Sequence, residues 1–185
     1  MKITLLGDSI RQIGYGTVVP QMLGDNYEVF QPNDNCRFSK YTLRALEDWE
    51  NSIIGSDIIH WNNGLWDVKR LWDGVSVTSP TEYVENMCRI ADFLLKKSKK
   101  VIFATTTPVT EAHPRIRNVD INYYNSLIIP MLKEKNIIIN DLNALVSLNI
   151  DEYIRKDDNI HLTPKGIEAT ALQVINVIKN TENLL

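Results

Sequence analysis

Ser9, Asn62, Asp158 and His161 carry the side chains from which acyl-transfer chemistry can be assembled. A serine hydroxyl is a weak nucleophile until a base takes its proton, and an imidazole becomes that base when a carboxylate holds its tautomer. A carboxamide N–H can meet the oxyanion that then forms. In Asp158-Asn159-Ile160-His161 the carboxylate stands three residues before the imidazole, close enough to curl back onto Nδ1 and leave Nε2 facing a serine. Ser9 sits in Gly7-Asp8-Ser9-Ile10, and Asn62 in Trp61-Asn62-Asn63-Gly64-Leu65-Trp66-Asp67. Taken singly, each has a plainer reading. Gly, Asp and Ser are common turn residues, Asn-Gly is a strong turn dipeptide, and an aspartate beside a histidine can be a loop cap. The chain has only 3 histidines, so one paired with an acid weighs more than either turn.

What the groups can do together depends on the elements that hold them. Five short apolar runs, Ile3–Leu6, Tyr27–Phe30, Ile58–Trp61, Val101–Ala104 and Ile137–Ile139, alternate with segments of helical spacing. Runs this continuous and β-branched suit parallel strands buried on both faces. One helix is signalled by Ser79 as cap, Pro80 at the first position and Glu82 completing a capping box, with Val84, Met87, Cys88, Ala91 and Leu95 on one face. Another follows Asp120 with Tyr124, Leu127, Ile128 and Met131 inward, and Pro130 is expected to interrupt and kink it. The last begins with Thr163 as cap and Pro164, and buries Ile167, Ala171, Val174 and Ile178. The expected fold is α/β: a three-layer α/β/α sandwich around a five-stranded parallel sheet. Right-handed crossovers bring every strand C-terminus to one edge, where ligands bind in such folds. Ser9 follows the first strand, Asn62 the third, and the Asp158–His161 loop leads into the last helix. A nucleophile, an amide donor and an oriented base therefore converge on one edge, which is the set acyl transfer needs.

Composition narrows the class further. At 185 residues the chain fits one domain, residues 1–185, and 44% hydrophobic with 23% charged residues is an ordinary globular balance. Lys and Arg number 20 against 23 Asp and Glu, which argues against a nucleic-acid binder. The basic run Lys96–Lys100 reads as a solvated helix end. Cys36 and Cys88 lack metal-type spacing and are expected to be free thiols. No apolar stretch reaches spanning length and no signal peptide precedes Gly7, so a cytoplasmic protein without a membrane partner is expected.

The three blocks resemble those of the SGNH hydrolases, also called GDSL esterases and lipases. Gly7-Asp8-Ser9 looks like the family's first block, Asn62 like the asparagine of its third, and Asp158-Asn159-Ile160-His161 like its closing D-x-x-H block. The resemblance extends from residue 3 to about residue 178 and implies a flavodoxin-like α/β/α fold. It implies Ser9 as nucleophile, His161 as general base and Asp158 as the group orienting it. The Ser9 backbone N–H and the Asn62 amide would be oxyanion donors, with no metal or organic cofactor. The implied substrate is a small-molecule ester, with a short acyl group such as an O-acetyl on a carbohydrate favoured; a thioesterase or lysophospholipase would use the same residues. One block departs from the pattern. The family's second block supplies a glycine N–H to the oxyanion, whereas Asn33–Thr42 holds no glycine. Ser39 or Lys40 is the expected substitute, and loss of turnover, leaving a ligand-binding domain, is the alternative. A phosphate-binding or interaction module of the same fold would leave the Asp158–His161 pair unexplained. No serine lies in G-x-S-x-G, and Gly7–Gln12 does not spell G-x-G-x-x-G, which sets aside the α/β-hydrolase elbow and the dinucleotide fold. Among the remaining candidates, Asp8 is read as orienting or capping the serine turn, Arg37 as a surface residue, His60 as a core histidine and His113 as a loop residue. Trp61, Trp66 and Trp72 are read as packing or pocket walls.

Overall fold

The computed structural model describes residues 1–185. Five strands, β1 (Lys2–Leu6), β2 (Glu28–Phe30), β3 (Ser56–Trp61), β4 (Ser98–Ala104) and β5 (Ile138–Asn140), form one parallel sheet in the order β2-β1-β3-β4-β5. That order is the flavodoxin-like one, and its switch point lies between β1 and β3. Between them, Leu5 pairs with His60 and Leu6 with Trp61, so the two chains leave the sheet side by side. Gly7 and Asn62 are thereby neighbours before any side chain is placed.

Nine helices complete the layers: α1 (Ser9–Gln12), α2 (Val19–Leu23), α3 (Ser39–Ile53), α4 (Leu65–Val68), α5 (Pro80–Leu95), α6 (Asn118–Glu134), α7 (Leu142–Ser147), α8 (Ile150–Tyr153) and α9 (Pro164–Glu182). A 3-10 turn, Tyr15–Thr17, joins α1 to α2. Helices α3, α5 and α6 pack on one another over one face, and α9 with α2 covers the other. Ile58, Ile59, His60 and Trp61 are consequently all fully buried, which is why β3 reads as an unbroken apolar run.

Helix ends follow their capping residues more closely than helix faces follow their periodicity. Ser79 accepts from the Glu82 N–H, but Glu82 binds Lys40 rather than closing a capping box. The buried face of α5 centres on Tyr83, Met87, Ile90 and Leu94, with Val84, Cys88 and Leu95 at its margins. In α6, Leu132 points inward where Met131 was expected; Met131 is exposed, and the helix continues past Pro130 to Glu134. The basic run is mostly strand: Lys96 ends α5, whereas Ser98–Lys100 opens β4, with Lys97 paired to Glu50 and Lys99 to Asp57. Both cysteines are free, and burial pushes the Cys36 thiol up to about 12. No helix is long and apolar enough to cross a membrane.

Candidate active site

The turn after β1 is built by its polar residues. Asp8 caps α1, its Oδ1 accepting from the Ile10 N–H at 2.9 Å, which puts Ser9 at the first helical position. The Ser9 N–H has no protein acceptor. Gly7 is required by a close approach: a Cβ there would lie 2.0 Å from Asn62 Oδ1. Arg11, which the sequence does not single out, is fully buried beneath the turn. Its guanidinium donates to the carbonyls of Gly7 (3.2 Å), Pro32 (2.9 Å) and Asp34 (2.7 Å). A buried cation needs compensation; here backbone oxygens and the nearby Asp8 supply it, and the loop after β2 is clipped to the serine turn.

The acid–histidine loop joins α8 to α9. Asn159 takes a left-handed conformation (φ +66°), which asparagine tolerates better than most residues. Thr110, from the loop after β4, braces it: its Oγ1 donates to Asn159 Oδ1 at 2.6 Å and its N–H to the Asn159 carbonyl at 3.1 Å. The bend lets Asp158 Oδ1 accept from the N–H groups of Ile160 (3.1 Å) and His161 (2.9 Å) while Oδ2 lies 3.0 Å from His161 Nδ1. Partial burial raises the Asp158 carboxyl, but the hydrogen bonds from His161 and Ile160 outweigh it and hold it at about 2. An ionised Asp158 keeps the proton on Nδ1, and Nε2 is then free to accept from Ser9 Oγ, 2.9 Å away. Immediately beyond, Thr163 caps α9 by accepting from the Gly166 N–H.

At the end of β3 the two asparagines do different things. Asn63 turns inward, accepting from Trp61 Nε1 (2.7 Å) and Thr42 Oγ1 (3.1 Å) and donating to the Arg37 carbonyl (2.9 Å). Asn62 lies beside the serine turn: Nδ2 donates to Asp8 Oδ1 at 2.8 Å, and Oδ1 accepts from the Tyr15 hydroxyl at 2.8 Å. The amide has a second hydrogen to give. Asp8 therefore both caps α1 and anchors Asn62.

The second block differs from expectation. The Ser39 N–H is committed to both oxygens of buried Asp67 (2.9 and 3.1 Å), and its hydroxyl donates to the same carboxylate, so Ser39 has no donor to spare. Burial pushes the Asp67 carboxyl up to about 6, against those hydrogen bonds. Lys40, in the first turn of α3, keeps a backbone N–H without a protein acceptor. Arg37 is exposed and left-handed (φ +50°), stacked 4.4 Å over the Tyr41 ring.

Two clefts meet at Ser9, Ile13 and His161. One, of about 390 Å³, runs past Gly14, Leu162 and Ile167 toward Arg155. The other, of about 410 Å³, is walled by Leu65, Trp66 and Ile116 and carries Lys69 and His113. His113 lies in the loop after β4, as expected, and there borders this cleft, with Nδ1 accepting from the Ile116 N–H at 2.9 Å. Trp66 forms part of the wall; Trp61 is core, packed on Phe103; Trp72, 86% exposed, rides the short hairpin between α4 and α5. His60 is fully buried, and burial lowers it to about 3. No group of three or more His, Cys, Asp or Glu side chains is arranged to hold a metal ion.

No family model and no curated protein matches the sequence. Solved structures do match the fold. An acetyl xylan esterase, AlAXEase, superposes with a TM-score of 0.79 at 23% identity, over 96% of this chain and 100% of that one. A lipase/acylhydrolase from Enterococcus faecalis gives 0.79 at 21% identity, over 97% and 96%. A member of the lipolytic G-D-S-L family from Veillonella parvula gives 0.78 at 15%, over 97% and 98%. The chain shares the three-layer α/β/α fold of these structures over 96% or more of their length.

Proposed function

We propose that this protein is a serine esterase that cleaves small acyl esters through an acyl-enzyme. One observation carries the reading: Asp158, His161 and Ser9 form a continuous line, 3.0 Å and then 2.9 Å, at the open edge of the sheet. Ser9 Oγ attacks the ester carbonyl while His161 Nε2 takes its proton, and Asp158 stabilises the imidazolium without being protonated itself. The tetrahedral oxygen is met by the unpaired Ser9 N–H and the free hydrogen of Asn62. His161 returns its proton to the leaving alcohol, and water repeats the cycle on the acyl-enzyme. A third donor, from the first turn of α3, would be the Lys40 N–H, since Ser39 is already engaged. Loss of that loop's glycine does not by itself favour a non-catalytic reading, because the nucleophile and base remain in contact.

The fold shared with acetyl xylan esterases supports a short acyl group, with an O-acetyl carbohydrate as the preferred substrate. Hydrolysis rates of the purified protein on aryl esters from acetyl to dodecanoyl test this. Rates should be highest for the shortest acyl groups and vanish in Ser9→Ala. Equal or greater rates on long chains would overturn the short-acyl preference, and unchanged rates in Ser9→Ala would overturn the mechanism.

A further inference from the structure

Behind Asn62 runs a line of polar side chains, buried from Asn140 inward, that the hydrolytic cycle does not use. Gln173 on α9, Asn140 at the end of β5, His60 within β3, and Tyr15 follow one another to Asn62 and Asp8. The distances are 2.8 Å from Gln173 Nε2 to Asn140 Oδ1, 3.0 Å from Asn140 Nδ2 to His60 Nε2, and 3.5 Å from His60 Nδ1 to the Tyr15 hydroxyl. Tyr15 then reaches Asn62 Oδ1 and Asn62 reaches Asp8, each at 2.8 Å. Asn140, His60, Tyr15, Asn62 and Asp8 are all at least 95% buried, away from competing water.

Each link constrains the next. Asp8 Oδ1 already accepts from the Ile10 N–H, so the group it meets on Asn62 must be the nitrogen. Asn62 then presents Oδ1 to Tyr15, whose hydroxyl must donate. The Tyr15 oxygen is left as an acceptor for His60 Nδ1–H, which requires that tautomer. His60 Nε2 must in turn accept, which suits the Asn140 amide, and Asn140 Oδ1 accepts from Gln173. All the donors point the same way, and the imidazole stays neutral because burial depresses its protonation. A flipped Asn62 would put its oxygen against Asp8 Oδ1 and strand the Tyr15 hydroxyl.

Resting on the esterase reading, we infer that Tyr15, held by His60 and Asn140, is a positioning residue. It locks the Asn62 carboxamide so that its nitrogen, and never its oxygen, faces the developing oxyanion. Without the Tyr15 hydroxyl only the Asp8 contact opposes rotation of the amide, and its second N–H is no longer held toward the developing oxyanion. The energetic consequence falls on the transition state rather than on substrate binding, so kcat carries it.

Steady-state kinetics on an acetyl ester, with Tyr15→Phe, Asn62→Ala and the double variant, test the inference; thermal melting verifies folding. Tyr15→Phe keeps the ring edge against His60 (centroids 5.4 Å apart) and removes only the hydroxyl. Its kcat should fall about tenfold or more with KM nearly unchanged, and the double variant should be no slower than Asn62→Ala alone. His60→Asn, which keeps a donor near the Nδ1 position, should retain kcat within about threefold, whereas His60→Leu should reproduce the Tyr15→Phe loss. An unchanged kcat in folded Tyr15→Phe, or a loss that multiplies with that of Asn62→Ala, would overturn the positioning role while leaving the esterase reading intact. A wild-type protein that neither turns over acetyl esters nor reacts at Ser9 would overturn both.

Discussion

At the scale of single residues, the chemistry depends on geometry that short-range sequence partly encodes. Asp158→Asn should leave the loop bent, yet lose the anion that fixes the tautomer of His161. kcat should fall by about 10⁴, with little change in KM. Asn62→Ala should lower kcat by about 10²–10³, read in the same assay. Gly7→Ala should behave like a severe form of that variant, because the added methyl would occupy the space of Asn62 Oδ1. Its kcat should drop at least as far as that of Asn62→Ala, and a near-normal rate would show that Asn62 need not sit where it does. Ser9, Asn62, Asp158 and His161 were legible as a candidate site because their blocks follow the first and third strands and precede the last helix, and because Asp158 and His161 are three residues apart; singly, each block also reads as a turn or a cap. Arg11, Tyr15 and Thr110 were not. Each acts on a partner distant in sequence, and an arginine, a tyrosine or a threonine beside an apolar run carries no mark of what it will meet.

At the scale of elements, strands and helix starts were readable for definite physical reasons. A parallel strand covered on both sides must be apolar almost throughout, and the starts of α5 and α9 carry side-chain caps, Ser79 and Thr163, whereas α3 and α6 begin without one and were less readable. Faces were less readable. Helix α5 is covered by α3, α6 and the sheet together, so its buried face is broad and its margins, Val84 and Cys88, look like its centre. The short helices α1, α4 and α8 are turns set by caps and tertiary contacts rather than by periodicity. Thr163 links an element to the site, since it caps α9 two residues after His161 and donates to the Glu152 carbonyl. Thr163→Ala should cost about 1 kcal/mol of stability in denaturant titration. It should also lower kcat, because the start of α9 anchors the histidine loop; full activity at reduced stability would separate the two roles.

For the whole molecule, the sheet order brings β1 and β3 together and so makes one site from residues far apart in the chain. The same close packing buries titratable groups with opposite effects on acid stability. His60 binds a proton only near pH 3 in the folded protein, against 6.5 ordinarily. Between those values the unfolded chain binds more protons, so this group's contribution to stability falls as pH drops. Asp67 has the reverse sign: with its folded value near 6 and its ordinary value 3.8, it favours the folded state as pH falls through that window. Comparing melting temperatures of wild type and His60→Asn isolates the histidine, because Asp67 is common to both. The deficit of the variant at pH 7 should narrow steadily toward pH 4.5; a constant deficit would mean that His60 does not titrate on unfolding.

The most direct test of an activated Ser9 is stoichiometric labelling with a fluorophosphonate, followed by peptide mass spectrometry. Wild-type protein should acquire one phosphonyl group, on Ser9, and both Ser9→Ala and His161→Ala should abolish it while remaining folded. A folded wild type that stays unlabelled, or label that appears undiminished in His161→Ala, would contradict the proposal that His161 makes Ser9 a nucleophile.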